Sequence, residues 1–402
     1  MKITSLETIR TEEFPNLLWV RIHTDDGLYG LGETYFGVAA VEAHLHEFVQ
    51  QKLLGRNPLE IEAIWADLNH FYLGFRSSGV EGRAHSAVDI ALWDLYGKVV
   101  NQPIYQLLGG RVRERIRTYN TCAGSTYVRS NLAQSTSNWG LDQDRNKAMG
   151  FDDLNLFLHH ADELAQSLLE SGITAMKIWP FDQYAEASNG LYISAKELDN
   201  ALEPFRKIRS AVGNTMDIMV EFHSLWNLPM AIHIAEALEE FNTFWHEDPI
   251  RMASLSNLKR YAQRSKAPLC ASETLSSRWA FKDLLEAEAA GIVMLDLSWC
   301  GGLSEARKIA AMAEAYQLPI APHDCTGPVV LAASTHLSLH APNALVQESV
   351  RAFYNGWYQD LVTVVPPVSH GFITVPDHPG LGLDLLPDVF KRKDAILRRT
   401  TL

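Results

Sequence analysis

The feature of this 402-residue chain that most limits its fold is a rhythm of short apolar runs alternating with helical stretches. After "RIRTYNTCAG" (115–124) come "TAMKIW" (174–179), "DIMVEFH" (217–223), "NTFWHED" (242–248) and "APLCASE" (267–273). "GIVMLDL" (291–297), "LPIAPHD" (318–324) and "ALVQES" (344–349) complete the series. Helical segments such as "PMAIHIAEALEEF" and "LSEARKIAAMAEAY" lie between them. Such alternation makes a parallel sheet with right-handed crossovers. Eight units in about 250 residues match a closed (β/α)8 barrel of the TIM type. An open doubly wound sheet would want a glycine-rich phosphate loop after its first strand, and "YNTCAGSTY" is not one.

The runs end on polar residues: Lys177, Glu221 with His223, Glu247, Glu273, Asp296, His323 and Glu348. Glu221, Glu247 and Glu273 are spaced by 26 residues, and the next steps are 23, 27 and 25. Each step is one βα unit, so the polar groups stay in phase with the barrel. Strand ends of this kind surround the mouth of such a barrel, where chemistry is done. Strand periodicity would aim Glu221 and His223 to the same side.

Three acids at equivalent heights on neighbouring strands would repel one another and raise each other's pKa. A divalent cation resolves this, and an all-oxygen set suits Mg2+ better than zinc. Asp296 and His323 fall on adjacent strand ends, where the carboxylate would fix the imidazole tautomer and make it a general base. Lys177 would point into the same mouth, either to bind a carboxylate or to act as a base of depressed pKa. His246, one residue before Glu247, is expected to face the surrounding helices.

The first 115 residues read differently. "LLWVRIHT" (17–24) and "LYGLGET" (28–34) flank Asp26-Gly27, a hairpin turn. In "HSAVDIALWDLYGKVV", Val88, Ala91, Leu92 and Leu95 form a helical apolar stripe. The expected organisation is an N-terminal α+β capping domain over 1–115 and the barrel over 116–369. A C-terminal segment, 370–402, is expected to pack back on the cap. The insertion from Ser125 to about His159 is placed to form a lid.

Charge and cysteine use narrow the partners. With 35 basic and 48 acidic residues the balance is −13, which argues against nucleic acid or an anionic membrane surface. "MKITSLETIRTEEF" is too acidic and too broken for a signal peptide, and no run approaches membrane-spanning length. Cys122, Cys270, Cys300 and Cys325 stand far apart, as reduced thiols of a cytoplasmic protein would.

Taken together, the capping helix "HSAVDIALWDLYGK", the three acidic strand ends, "DLSWCGGLSEARKIAAMAEAY" and "PIAPHD" resemble the enolase superfamily, mandelate racemase subgroup. The resemblance covers nearly the whole chain. It implies one Mg2+ on Glu221, Glu247 and Glu273, and abstraction of the proton α to a substrate carboxylate. It also implies that Asp296–His323 is the base and that Glu348 contacts the substrate carboxylate or its enediolate. Muconate-lactonizing relatives carry a lysine where this chain has Asp296. Mandelate racemase carries K-x-K where this chain has Lys177-Ile178-Trp179, so a two-lysine racemase mechanism does not carry over. The Glu221-x-His223 pattern is similar to that of acid-sugar dehydratases, in which the histidine takes part in proton transfer.

The expected reaction is therefore dehydration of a sugar acid to a 2-keto-3-deoxy acid, with His323 removing the C2 proton and His223 or His323 protonating the departing hydroxyl. Racemisation or epimerisation at the same carbon is the alternative, and a non-catalytic metabolite-binding barrel is a third. Tyr35 and Arg76, in "GETYFG" and "YLGFRSSG", resemble the family's specificity loops; Asn120 and Trp139 are further candidate substrate contacts. Relatives are commonly homo-oligomers, dimers or octamers.

Overall fold

A computed structural model describes residues 1–70, 78–129, 135–141 and 151–402. Strands β1 (Ile3–Thr11), β2 (Leu17–Thr24) and β3 (Tyr29–Tyr35) form an antiparallel meander, with the Asp26-Gly27 turn between β2 and β3. Against it lies the helix Val80–Val100. The contact is close: a Cβ at Gly30 or Gly32 would sit 1.9 Å from the carbonyl oxygen of Ala91 or Ala87. The glycines of "LYGLGET" are thus what lets the helix backbone press on the sheet. The helix is buried on nearly every side, Asp89 and Asp94 included, because its other face meets the barrel.

The barrel strands are β4 (Ile116–Thr121), β5 (Ala175–Ile178), β6 (Asp217–Glu221), β7 (Trp245–Glu247), β8 (Leu269–Ala271), β9 (Ile292–Leu295), β10 (Ile320–Pro322) and β11 (Gln347–Ser349). Neighbours from β4 to β10 pair in parallel, and β11 pairs in parallel with β4. A parallel bridge between Ile320 and Ala344 joins β10 to the approach of β11 and closes the ring. The fold is a (β/α)8 barrel with an N-terminal α+β cap, the architecture expected for the enolase superfamily. After it, β12 (Val368–Ser369) and β13 (Phe372–Ile373) form a small ribbon against β4. The last strand, β14 (Ala395–Thr401), pairs with β1 and so adds a fourth strand to the cap sheet.

The cap grips the barrel near the mouth. Asp89 accepts from Ser304 N at 2.9 Å, at the start of the helix Gly302–Ala315, where a helix dipole favours a carboxylate. Ser86 Oγ accepts from Gly301 N, and Trp93 donates to Ser304 Oγ. Trp299 donates to the Tyr35 carbonyl and stacks on the His323 ring, with centroids 5.4 Å apart. The segment "SWCGG" therefore ties the cap to the face of the candidate base. No helix among the described residues is long and apolar enough to cross a membrane.

Candidate active site

One side-chain layer explains where the polar groups stand. Tyr119, Ala175, Met219, Trp245, Cys270, Met294, Ala321 and Val346 form one level of a buried cluster, one from each barrel strand or its approach, and Ile292 on β9 joins the cluster two residues before Met294. They plug the barrel interior. Strand side chains repeat their facing every second residue. Two residues on from each plug residue stand Thr121, Lys177, Glu221, Glu247, Ser272, Asp296, His323 and Glu348. The active layer is the next storey above an apolar floor. The sequence reading missed Thr121, which ends β4 without a charge, and Ser272, which lies just beyond β8.

Glu221 and Glu247 are direct register partners across β6 and β7. Glu273 is not in that register: β7 pairs Glu247 with Cys270, and Glu273 lies beyond the end of β8. The expected row of three equivalent heights is thus two in register and a third brought in from the loop. Even so, one oxygen of each of the three lies within 4.8 Å of the others. Glu273 is the most open, its side chain 17% exposed against 2% and 0% for Glu221 and Glu247.

Lys177 Nζ sits among the acids, 2.6 Å from Glu247, 3.0 Å from Glu348 and 3.6 Å from Glu221. Burial alone would lower its pKa, but Glu247 and Glu348 outweigh burial and hold it well above the usual lysine range. The ion pairs with Glu247 and Glu348 favour the ammonium form of Lys177, the form that binds a carboxylate. Burial pushes the Glu221 carboxyl up to about 8, against the pull of Glu247 and Lys177. Burial and the Glu221 charge raise Glu247 as well. Glu221 Oε1 accepts from Phe222 N and His223 N, while its buried Oε2 has no hydrogen-bond partner. Asp248, absent from the sequence reading, adds another buried acid bonded to Ser272 Oγ.

His323 Nδ1 lies 2.7 Å from Asp296 Oδ2, and Asp296 Oδ1 accepts from the Ser298 amide and hydroxyl. All of Asp296's capacity is aimed at holding one ring orientation. His323 Nε2 faces Glu273 at 2.8 Å. Burial would depress this imidazole, but Glu273, Glu348 and Asp296 raise it well above its usual range. Burial opposes the converse shift at Glu273, which the facing imidazole brings down to about 2. Glu348 is fixed by Thr121 Oγ1, Asp324 N and Lys177.

His223 reaches the site by another route than strand alternation. β6 ends at Glu221, and His223 and Ser224 adopt left-handed backbone with φ of 47° and 59°. Its Nδ1 lies 2.7 Å from Asp182 Oδ2. His223 lines three adjoining cavities: a small inner one of about 30 Å3 and outer ones of about 340 and 450 Å3. The inner cavity also carries Tyr35, Lys177, Glu273 and His323. Trp139 lines the largest, beside Arg251. Trp179, in the place of a second lysine, packs edge-on against the His223 ring.

Asn120 is a correction. It is fully buried and lines none of these cavities; it donates to Asp153 and accepts from the Arg351 amide. Arg351 and Asp153 make a two-pronged ion pair beside it, so Asn120 braces the helix Asp153–His159 to β4 and the end of β11. Facing outward from the barrel, one residue before Thr121, it is out of phase with the active layer. Arg76 lies outside the described residues. His246 bonds to Tyr261 and Thr243 on the helix side, as expected.

Comparison with known proteins agrees with this architecture. The Mandelate racemase / muconate lactonizing enzyme N-terminal domain family matches residues 3–109, and the Enolase C-terminal domain-like family matches residues 160–389. A D-galactonate dehydratase of Ralstonia nicotianae is 33% identical, the match covering 96% of this chain and 92% of that protein. One of Xanthomonas axonopodis pv. citri is 34% identical, over 98% and 94%. The crystal structure of an enolase of the mandelate racemase subgroup from Agrobacterium tumefaciens superposes with a TM-score of 0.88 at 59% identity, covering 100% of this chain and 99% of that one. An enolase protein from Sargasso Sea environmental sequencing gives 0.88 at 44%, over 100% and 99%. This chain belongs to the mandelate racemase / muconate lactonizing enzyme group of the enolase superfamily.

Proposed function

We propose that the chain is a hydro-lyase that removes water from a sugar acid, an aldonate or an aldarate, to give a 2-keto-3-deoxy acid with one Mg2+ per site. The observation that carries this reading is the pairing of two imidazoles, His323 and His223, each held at Nδ1 by a buried aspartate and both lining one cavity with Glu273 and Lys177. The dehydratase names of the curated relatives support it.

The acid cluster suits the cation. Its donors are all oxygen, its carboxylates outnumber the single lysine, and the buried Glu221 Oε2 accepts no hydrogen bond, its nearest cation being Lys177 at 3.6 Å. Glu221, Glu247 and Glu273 would hold a divalent ion, which would supply positive charge where the substrate carboxylate takes on a second negative charge. With Glu273 turned away to the cation, His323 loses the charge that most favours its second proton, and its neutral Nε2 takes the C2 proton. Lys177 and Glu348, locked together at 3.0 Å, hold the carboxylate end. His223 returns a proton to the departing 3-hydroxyl, since hydroxide alone leaves poorly. Tyr35, Phe36 and Trp299 wall the cavity and limit water.

The test is a screen of C4 to C6 aldonic and aldaric acids with Mg2+, read as semicarbazide-reactive keto acid. Formation of keto acid from at least one is expected. Stereochemical inversion without keto acid would instead establish epimerisation at the same carbon.

A further inference from the structure

Asp182 opens the helix Asp182–Ser188, in the stretch "WPFD" that follows β5, and lies on no strand end. Its side chain is 7% exposed. Oδ2 meets His223 Nδ1 at 2.7 Å, while Oδ1 is buried with no partner. A buried carboxylate with one partner is costly to keep, so its one contact is what it is there for. That contact decides the ring. With Nδ1–H given to Asp182, the other nitrogen, Nε2, is left for the cavity.

The backbone completes the hold. His223 N donates to Glu221 Oε1 at 2.5 Å, and the left-handed turn at His223 and Ser224 swings the side chain off the line of β6. Trp179 closes the ring's flank, with centroids 5.9 Å apart and planes at 78°. His223 is therefore fixed at its amide by a candidate metal ligand and at its ring by Asp182.

We propose that Asp182 is a positioning residue that holds His223 with Nε2 toward the substrate's leaving group. This rests on the hydro-lyase reading. In that reaction the C2–H bond breaks and its proton goes to His323. The electron pair left at C2 forms the C2=C3 bond, and the C3–O bond breaks with its pair going to oxygen. That oxygen takes the proton from His223 Nε2 and departs as water. The enol then becomes the keto acid. The Asp182 side chain bonds His223 and keeps its own protonation state throughout.

The test uses the full chain with Mg2+ and a sugar acid that it turns over, comparing Asp182→Asn, Asp182→Glu and His223→Asn. Two quantities are read together: deuterium entering C2 of recovered substrate from D2O, and keto acid formed. Asp182→Asn is expected to lower keto-acid formation about 10²-fold while C2 exchange stays within about threefold, as in His223→Asn. Asp182→Glu is expected to recover about tenfold of the loss. In histidine-labelled protein, a low-field Nδ1–H resonance absent from His223→Asn should vanish in Asp182→Asn, while that of His323 remains. An equal fall in exchange and elimination, wild-type elimination, or a surviving resonance would each overturn the proposal alone. If the unmodified chain makes no keto acid from any aldonate or aldarate, the hydro-lyase reading falls and takes this assignment with it.

Discussion

Asp296 Oδ2 accepts from His323 Nδ1 at 2.7 Å, and its other oxygen is taken up by the Ser298 amide and hydroxyl. The carboxylate therefore dictates which nitrogen of His323 is free. Asp296→Asn leaves the shape intact but offers the ring an ambiguous partner. Exchange of the C2 hydrogen with D2O, followed by mass spectrometry, is expected to slow by about 10²–10⁴, with Mg2+ affinity unchanged. Exchange at the original rate would move the base role away from His323.

Asn120 gives a different kind of outcome. Its amide bridges Asp153 and the Arg351 backbone inside the protein, out of reach of the cavities. Asn120→Ala leaves a buried donor and acceptor short of partners, at a cost of about 1–3 kcal/mol. Thermal unfolding should show a Tm lowered by several degrees with KM unaltered. A raised KM at wild-type stability would restore Asn120 as a substrate contact.

At the cap–barrel junction, burial pushes Asp89 from its ordinary 3.8 up to about 7. Between those values the folded protein holds a proton that the unfolded chain has lost. Stability from this residue is thus greatest at low pH and falls as pH rises from 4 to 7. Asp89→Asn keeps an acceptor for Ser304 N and cannot ionise. The difference in unfolding free energy, variant minus wild type, should climb across that window and level off above it, reaching on the order of 2–4 kcal/mol. A flat difference from pH 4 to 8 would show that Asp89 is ionised throughout.

The barrel, its closing hairpin cap and the ring of polar strand ends were legible because they repeat: one βα unit brings each strand back to the same height. What does not repeat was not legible. Thr121 and Ser272 occupy the active layer without a charge to mark them. Asp182 sits at a helix start, where an aspartate reads as ordinary capping. His223 was expected in the site for the wrong reason, since a left-handed turn rather than strand alternation presents it. Glu273 kept the 26-residue spacing yet left the register, because β8 ends at Ala271. Asn120 shares a strand with Thr121 but faces the other way.

The central claim is that Glu221, Glu247 and Glu273 together grip one divalent cation. Calorimetric titration of Mg2+ into the purified chain and into Glu247→Gln tests it most directly. One ion bound by the unmodified protein, and affinity weakened about 10²-fold or more in the variant, is the expected result. Binding of equal strength by both proteins, or by neither, would contradict it.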